Sequence, residues 1–126
     1  VAKYPGWTRR SESGRKTSAD WEHRATGWHV RHCGHPTAIH PYFAEDPDGR
    51  MVVHANGHGF DTLLQAMSAV EQLHAHQRVL VEVEDGFPRI YSWPDIREVL
   101  AEHGMDPDQV EQLVNRLKSG DLGPFF

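Results

Sequence analysis

The side chains best suited to chemistry crowd into one stretch: His29, His32, Cys33, His35 and His40, with His54 and His58 further on. Zinc takes three or four converging nitrogen, sulfur or oxygen ligands. Alternate residues of a strand share a face, so alternation can bring His29, His40 and His54 together, with Cys33 and His35 flanking a turn. Those five residues, His29, Cys33, His35, His40 and His54, are the candidate ligands of a zinc-stabilised module. The competing reading is a solvated sheet face on which histidine is tolerated. Cys33 is the only cysteine, which excludes an internal disulfide and any CxxC metal or redox site. A Cys33 nucleophile with His35 as base needs an orienting third group and an oxyanion pocket, and the sequence nominates neither. There is no glycine-rich phosphate loop, HExxH or GxSxG, and no pair of acids isolated in apolar sequence of the kind general acid-base work favours. The expectation is a non-enzymatic chain with no cofactor, zinc being the alternative.

Charge is distributed unevenly. Residues 1–32 hold seven Lys or Arg against three acids, and residues 33–126 hold six against fifteen, which together make the net charge of −5. A basic arm joined to an acidic body is the simplest reading. Ten histidines would carry −5 to +5 if all were protonated, so the surface field changes sign near the pI of about 6. Residues 1–26 have no helical or strand period and read as a partly disordered arm. In it Trp7 and Trp21 lie among Arg9, Arg10, Arg15, Lys16 and Arg24, and Arg31 follows. Aromatics among cations suit stacking on bases while neutralising phosphates. The acids Glu82, Glu84, Asp85, Glu98, Glu102, Asp108 and Glu111, with the terminal Phe125 and Phe126, suit docking on a basic protein surface.

The elements that would position these groups follow from periodicity and turn chemistry. Residues 28–33, 37–44 and 51–55 read as strands, with Pro41 making the second an edge or a bulge. Asp46-Pro47-Asp48-Gly49 has the residues of a type I turn. Thr62 to Gln65 is a capping-box pattern opening a helix, whose Leu63, Leu64, Met67, Val70 and Leu73 should cover one sheet face. A hairpin spans residues 78–91 across Asp85-Gly86. Ser92 caps the next helix, Gly104 closes it, and Asp106-Pro107-Asp108-Gln109 starts the last. The expected fold is α+β: an antiparallel sheet of four to five short strands, one long helix packed on it, and a C-terminal helical pair. A single domain would occupy residues 27–126, with three strands and a helix in 27–77 and a hairpin and two helices in 78–126.

Three strands followed by Gly59-Phe60-x-Thr62-x-x-x-Ala66 resemble the arm-type DNA-binding domains of phage integrases and AP2 proteins. The resemblance covers under half the chain and implies an exposed sheet face that enters the major groove. Here that face carries Arg31 and histidines in place of a row of Arg and Lys. The helical pair from Trp93 to Lys118 has the outline of a helix-turn-helix, but Asp108 and Glu111 sit at the start of the second helix, where bases would be read. The reading these features favour is an acidic protein that binds a basic surface on a nucleic-acid-handling partner. An inhibitor or adaptor of the kind phages and mobile elements encode is similar in size and acidity. The alternative is nucleic-acid binding through the basic arm and sheet face. With no long apolar run and no signal-peptide core, the expectation is a cytoplasmic chain that does not meet the membrane.

Overall fold

Hairpins lay down most of the sheet in chain order. The structure is a computed structural model that describes residues 4–83 and 86–119. Its strands are β1 (Trp7–Arg9), β2 (Asp20–His23), β3 (His29–His32), β4 (Tyr42–Glu45) and β5 (Met51–His54), followed by helix α1 (Leu63–His74). Then come β6 (Arg78–Val81), β7 (Arg89–Ser92), α2 (Trp93–Glu102) and α3 (Pro107–Ser119). Gly49 N donates to Asp46 O at 2.9 Å, and Gly49 takes φ +87. The Asp46 carboxylate accepts from the amides of Asp48 and Arg50 at 3.1 and 2.8 Å. That is a type I turn extended by a left-handed glycine, which sets the β4–β5 register.

The expected antiparallel sheet of four to five strands with one long helix is corrected. The sheet has seven strands in the order β1-β2-β3-β4-β5-β7-β6, β5 pairs with β7 in parallel, and three helices accompany it. The mixture of α and β stands. Two of the additional strands come from the residues read as an arm. There β1 and β2 pair as Trp7 with His23 and Arg9 with Trp21, and β2 continues onto β3. Their alternation is hidden because a cation occupies an inward position: Arg9 shares the face of Trp7 and lays its guanidinium over the Trp21 ring at 5.6 Å. The second strand of the sequence reading is also shorter, beginning at Tyr42, since Pro36 and Pro41 bring no N–H to a ladder.

The register assigns the faces. Val30, Ala44 and Val52 line up across β3, β4 and β5 and, with Ile90, meet Ala66, Met67, Ala69 and Val70 of α1. Trp7 is 4% exposed within the same core and donates from Nε1 to Glu71 Oε1 at 2.7 Å. On the opposite face Val81 and Tyr91 pack under Trp93, Ile96, Leu100, Val110, Leu113 and Val114 of α2 and α3. The covering role expected of Leu64 is corrected: it is 61% exposed, because the α1 stripe runs through Ala66, Met67, Ala69 and Val70 and Leu64 falls outside it. Thr62 Oγ1 accepts from Gln65 N at 3.1 Å as a cap should, while Gln65 Oε1 reaches back to Asp61 N at 3.2 Å.

Gly59 has the closest surroundings of the described glycines. A Cβ there would lie 2.5 Å from the carbonyl oxygens of both His40 and Tyr42, where Tyr42 and Phe60 exchange backbone hydrogen bonds. Gly59→Ala should therefore lower unfolding free energy by at least about 1–3 kcal/mol in a urea melt. Gly14→Ala, with open space around it, should stay within about 0.5 kcal/mol of the parent. Trp7→Ala should cost about 3–5 kcal/mol in the same melt; a loss under about 1 kcal/mol would show that β1 is an appendage.

Candidate functional site

Strand β5 ends at His54, beside the end of β7, and α1 begins after an eight-residue loop that turns back over that end. Between them lies an open cleft of about 620 Å³ lined by His40, His54, Asn56, Gly59, Phe60 and Asp61, by Thr62, Leu64, Gln65 and Ser68 of α1's first turns, and by Arg78 of β6. In open sheets, ligands characteristically meet the carboxyl ends of parallel strands where the strand order breaks. Here β7 lies between β5 and β6.

Several lining groups are held by their neighbours. His54 stands edge-on to Phe60, ring centroids 5.4 Å apart. Burial pushes the His54 imidazole below the ordinary histidine range, and Arg78 lowers it further against the opposing pull of Asp95 and Asp61. His40 hydrogen-bonds Asp61 through Nδ1 and stacks on His58 at 5.3 Å. Arg78 Nε donates to Gln72 Oε1 at 2.5 Å, tying β6 to α1. Sequence reasoning identified the Thr62 cap, but assigned no site to Asn56, Asp61, Thr62, Gln65, Ser68 or Arg78. The available signal was a polar, glycine-punctuated connection between a strand and a helix, which carries meaning only once β7 lies alongside β5.

The proposed zinc ligands do not converge. His29 pairs across from Glu45, and Met51 pairs with Glu45 in turn, so His29 projects on the face away from α1. His54, three residues beyond Met51, projects on the α1 face and lines the cleft with His40. On its own side His29 Nδ1 meets Asp20 at 2.7 Å. Cys33 and His35 are exposed. Among the described residues no group of three or more His, Cys, Asp or Glu side chains is placed to hold a metal ion.

The proposed nucleic-acid residues are largely engaged within the fold. Trp7 is buried, and Trp21 packs edge-on against Tyr4 at 5.0 Å. Arg10 pairs with Glu22, and this hydrogen bond holds the Glu22 carboxyl below its ordinary range. Arg31 lies between Asp20 and Glu45 at 3.4 and 3.5 Å. Arg9 donates to the carbonyl oxygens of Ser13 and Arg15 at 2.7 and 3.2 Å. Arg15, Lys16 and Arg24 are exposed. The face that the integrase and AP2 resemblance would place in a groove thus interleaves Asp20, Glu22 and Glu45 with Arg10, Arg31 and His29.

The proposed partner-binding acids divide. Glu82 pairs with Arg50 at 2.6 Å and Glu111 with Arg97 at 2.8 Å. Glu98, Glu102 and Asp108 are exposed on α2 and α3 with no cationic partner among the described residues. Glu84, Asp85, Phe125 and Phe126 lie outside the described residues. No helix among the described residues is long and apolar enough to cross a membrane. Comparison with protein-family models, with curated proteins and with solved structures finds no match to this chain.

His23 and His32 are, like His54, pushed below the ordinary histidine range mainly by burial, with help from His74 at His23 and from Lys16 at His32. In the unfolded chain these imidazoles titrate near 6.5. As pH falls through that value the unfolded chain takes up protons first, so stability is full above it and is lost as pH falls through the lower folded values. Melting temperature should be level above about pH 7 and decline between roughly pH 6.5 and 5. His54→Gln should make that decline shallower. A level profile across the whole window would contradict the burial of these rings.

Proposed function

We propose that this is a non-catalytic protein-binding protein whose acidic α2–α3 surface docks on a basic surface of its partner. The reading is supported by where charge is balanced and where it is not. Cations at the edge of β1 and on β3 are drawn into pairs, Arg10 with Glu22 and Arg31 with Asp20 and Glu45. Asp46 and Glu82 are answered by Arg50. Residues 93–119 carry six acids against three Lys or Arg, and Glu98 and Glu102, four apart on α2, share one stripe without a cation to answer them among the described residues.

An acidic stripe on a rigid helix speeds encounter with a cationic surface and rejects like-charged ones. Basic surfaces are common on proteins that handle nucleic acid, so an inhibitor or adaptor of such a protein is the form this function takes. Nucleic acid itself would meet acids interleaved with the sheet's cations and tryptophans already packed.

Affinity capture from native host extract should yield a basic protein with the parent chain. It should lose that protein with Glu98→Lys, Glu102→Lys and Asp108→Lys combined, while the melting temperature of the variant is kept. Retention of the same protein by the triple variant would overturn the docking surface. A gel shift with single- or double-stranded DNA whose affinity drops steeply with salt would overturn the reading as a whole.

A further inference from the structure

The cleft beside α1 lies on the opposite face of the sheet from the α2–α3 surface, and its polar atoms are unevenly matched. Backbone amides show which end of each side chain is already engaged, because an N–H can bond only to an oxygen or a bare ring nitrogen. Asn56 Oδ1 accepts from His58 N at 2.8 Å, which leaves the Asn56 Nδ2 hydrogens without that role. Gln65 Oε1 accepts from Asp61 N at 3.2 Å and leaves Nε2. Thr62 Oγ1 accepts from Gln65 N at 3.1 Å and keeps its hydroxyl proton to donate. His54 Nδ1 accepts from Asn56 N at 3.4 Å, so the neutral ring carries its proton on Nε2. Arg78 uses Nε on Gln72 and retains both η nitrogens. The carboxylate in the lining, Asp61, is bonded by His40.

Five lining side chains thus keep donor hydrogens, and in four of them, Asn56, Gln65, Thr62 and His54, an acceptor atom is already engaged. A neutral polar ligand offers donors of its own, which would find fewer partners here than a group made of acceptors. A group made only of acceptors fits: a carboxylate bears about four lone-pair sites and no hydrogen, and a phosphate is richer still. Phe60 and the exposed Leu64 add apolar wall beside the donors. A volume of about 620 Å³ falls within the usual range of small-molecule sites, about 300–1,000 Å³.

We propose that the cleft binds a small organic oxyanion, a carboxylate or phosphate carried on a compact apolar body, with Arg78 as the fixed charge and Asn56, Gln65, Thr62 and His54 as hydrogen-bond donors. The anion replaces water at donors already oriented by the sheet end and the first turns of α1. Loss of one charged donor should weaken such a contact by about tenfold or more.

The test is titration of nitrogen-15-labelled protein with phenyl phosphate, benzoate, inorganic phosphate and benzyl alcohol at constant ionic strength and neutral pH. Phenyl phosphate or benzoate should shift amides between His54 and Gln65 and at Arg78; the tighter of the two names the acid group. Inorganic phosphate should bind more weakly and benzyl alcohol should leave those amides unmoved. Arg78→Gln should weaken binding by about tenfold or more. Asn56→Asp and Gln65→Glu each keep the oxygen that holds the loop and replace the donor end with an acceptor, so each should abolish binding without lowering the melting temperature. Equal binding of benzyl alcohol, unchanged binding by the three variants, or shifts scattered over the exposed arginines would overturn the proposal.

Discussion

Val53 opposite Arg89 and His54 opposite Ile90 place β7 alongside β5 in parallel, and most of the architecture follows from that contact. Parallel neighbours cannot be joined by a tight turn, so the chain must travel back across the sheet before returning. Here it does so through α1 and β6, and β7 comes to lie between β5 and β6. With α1 on one face and α2–α3 on the other, the β5–β7–β6 end of the sheet is buried on both sides: Leu80 and Ile90 toward α1, Val81 and Tyr91 toward the helical pair. The same arrangement leaves the carboxyl ends of β5 and β7 open beside the start of α1, and the cleft is the space between them.

The antiparallel half of the sheet is built differently. One face of β1 to β4 is covered by α1 and holds Trp7, Val30, Tyr42 and Ala44. The other carries cross-strand charge, with Arg10 against Glu22, His29 against Asp20, and Arg31 between Asp20 and Glu45. Solvent screens pairs as exposed as these, so they add little to stability. Their consequence is chemical rather than energetic. They set acids beside Arg10 and Arg31 on that face, while Arg15, Lys16 and Arg24 stay exposed, and Glu98, Glu102 and Asp108 on α2 and α3 have no cationic partner among the described residues.

Histidine shows how far environment outweighs identity. His29 meets carboxylates on the open face, His40 holds Asp61 at the rim of the cleft, and His32 accepts the amide of Gly34 at 2.9 Å. His74 bonds the Val70 carbonyl at 2.8 Å and stacks near His23. A sequence that looked like one ligand cluster is divided among both faces of a sheet because strand alternation and register, not proximity in the chain, decide where each ring points.

What the sequence determines by itself is local. The Asp46–Gly49 turn, the Thr62, Ser92 and Asp106 caps and the 3.6-residue stripes of the helices are written in residues within a few positions of one another, where side chain and backbone bond directly. Tertiary structure alone decided the rest. Two three- or four-residue strands, one carrying Arg9 inward and the other ending on His23, become strands only when the sheet supplies partners and a tryptophan for the guanidinium to cover. The placing of β7, and with it the gathering of His54, Asn56, Gln65 and Arg78 around one cleft, rests on contacts between residues far apart in the chain, for which no local propensity leaves a mark.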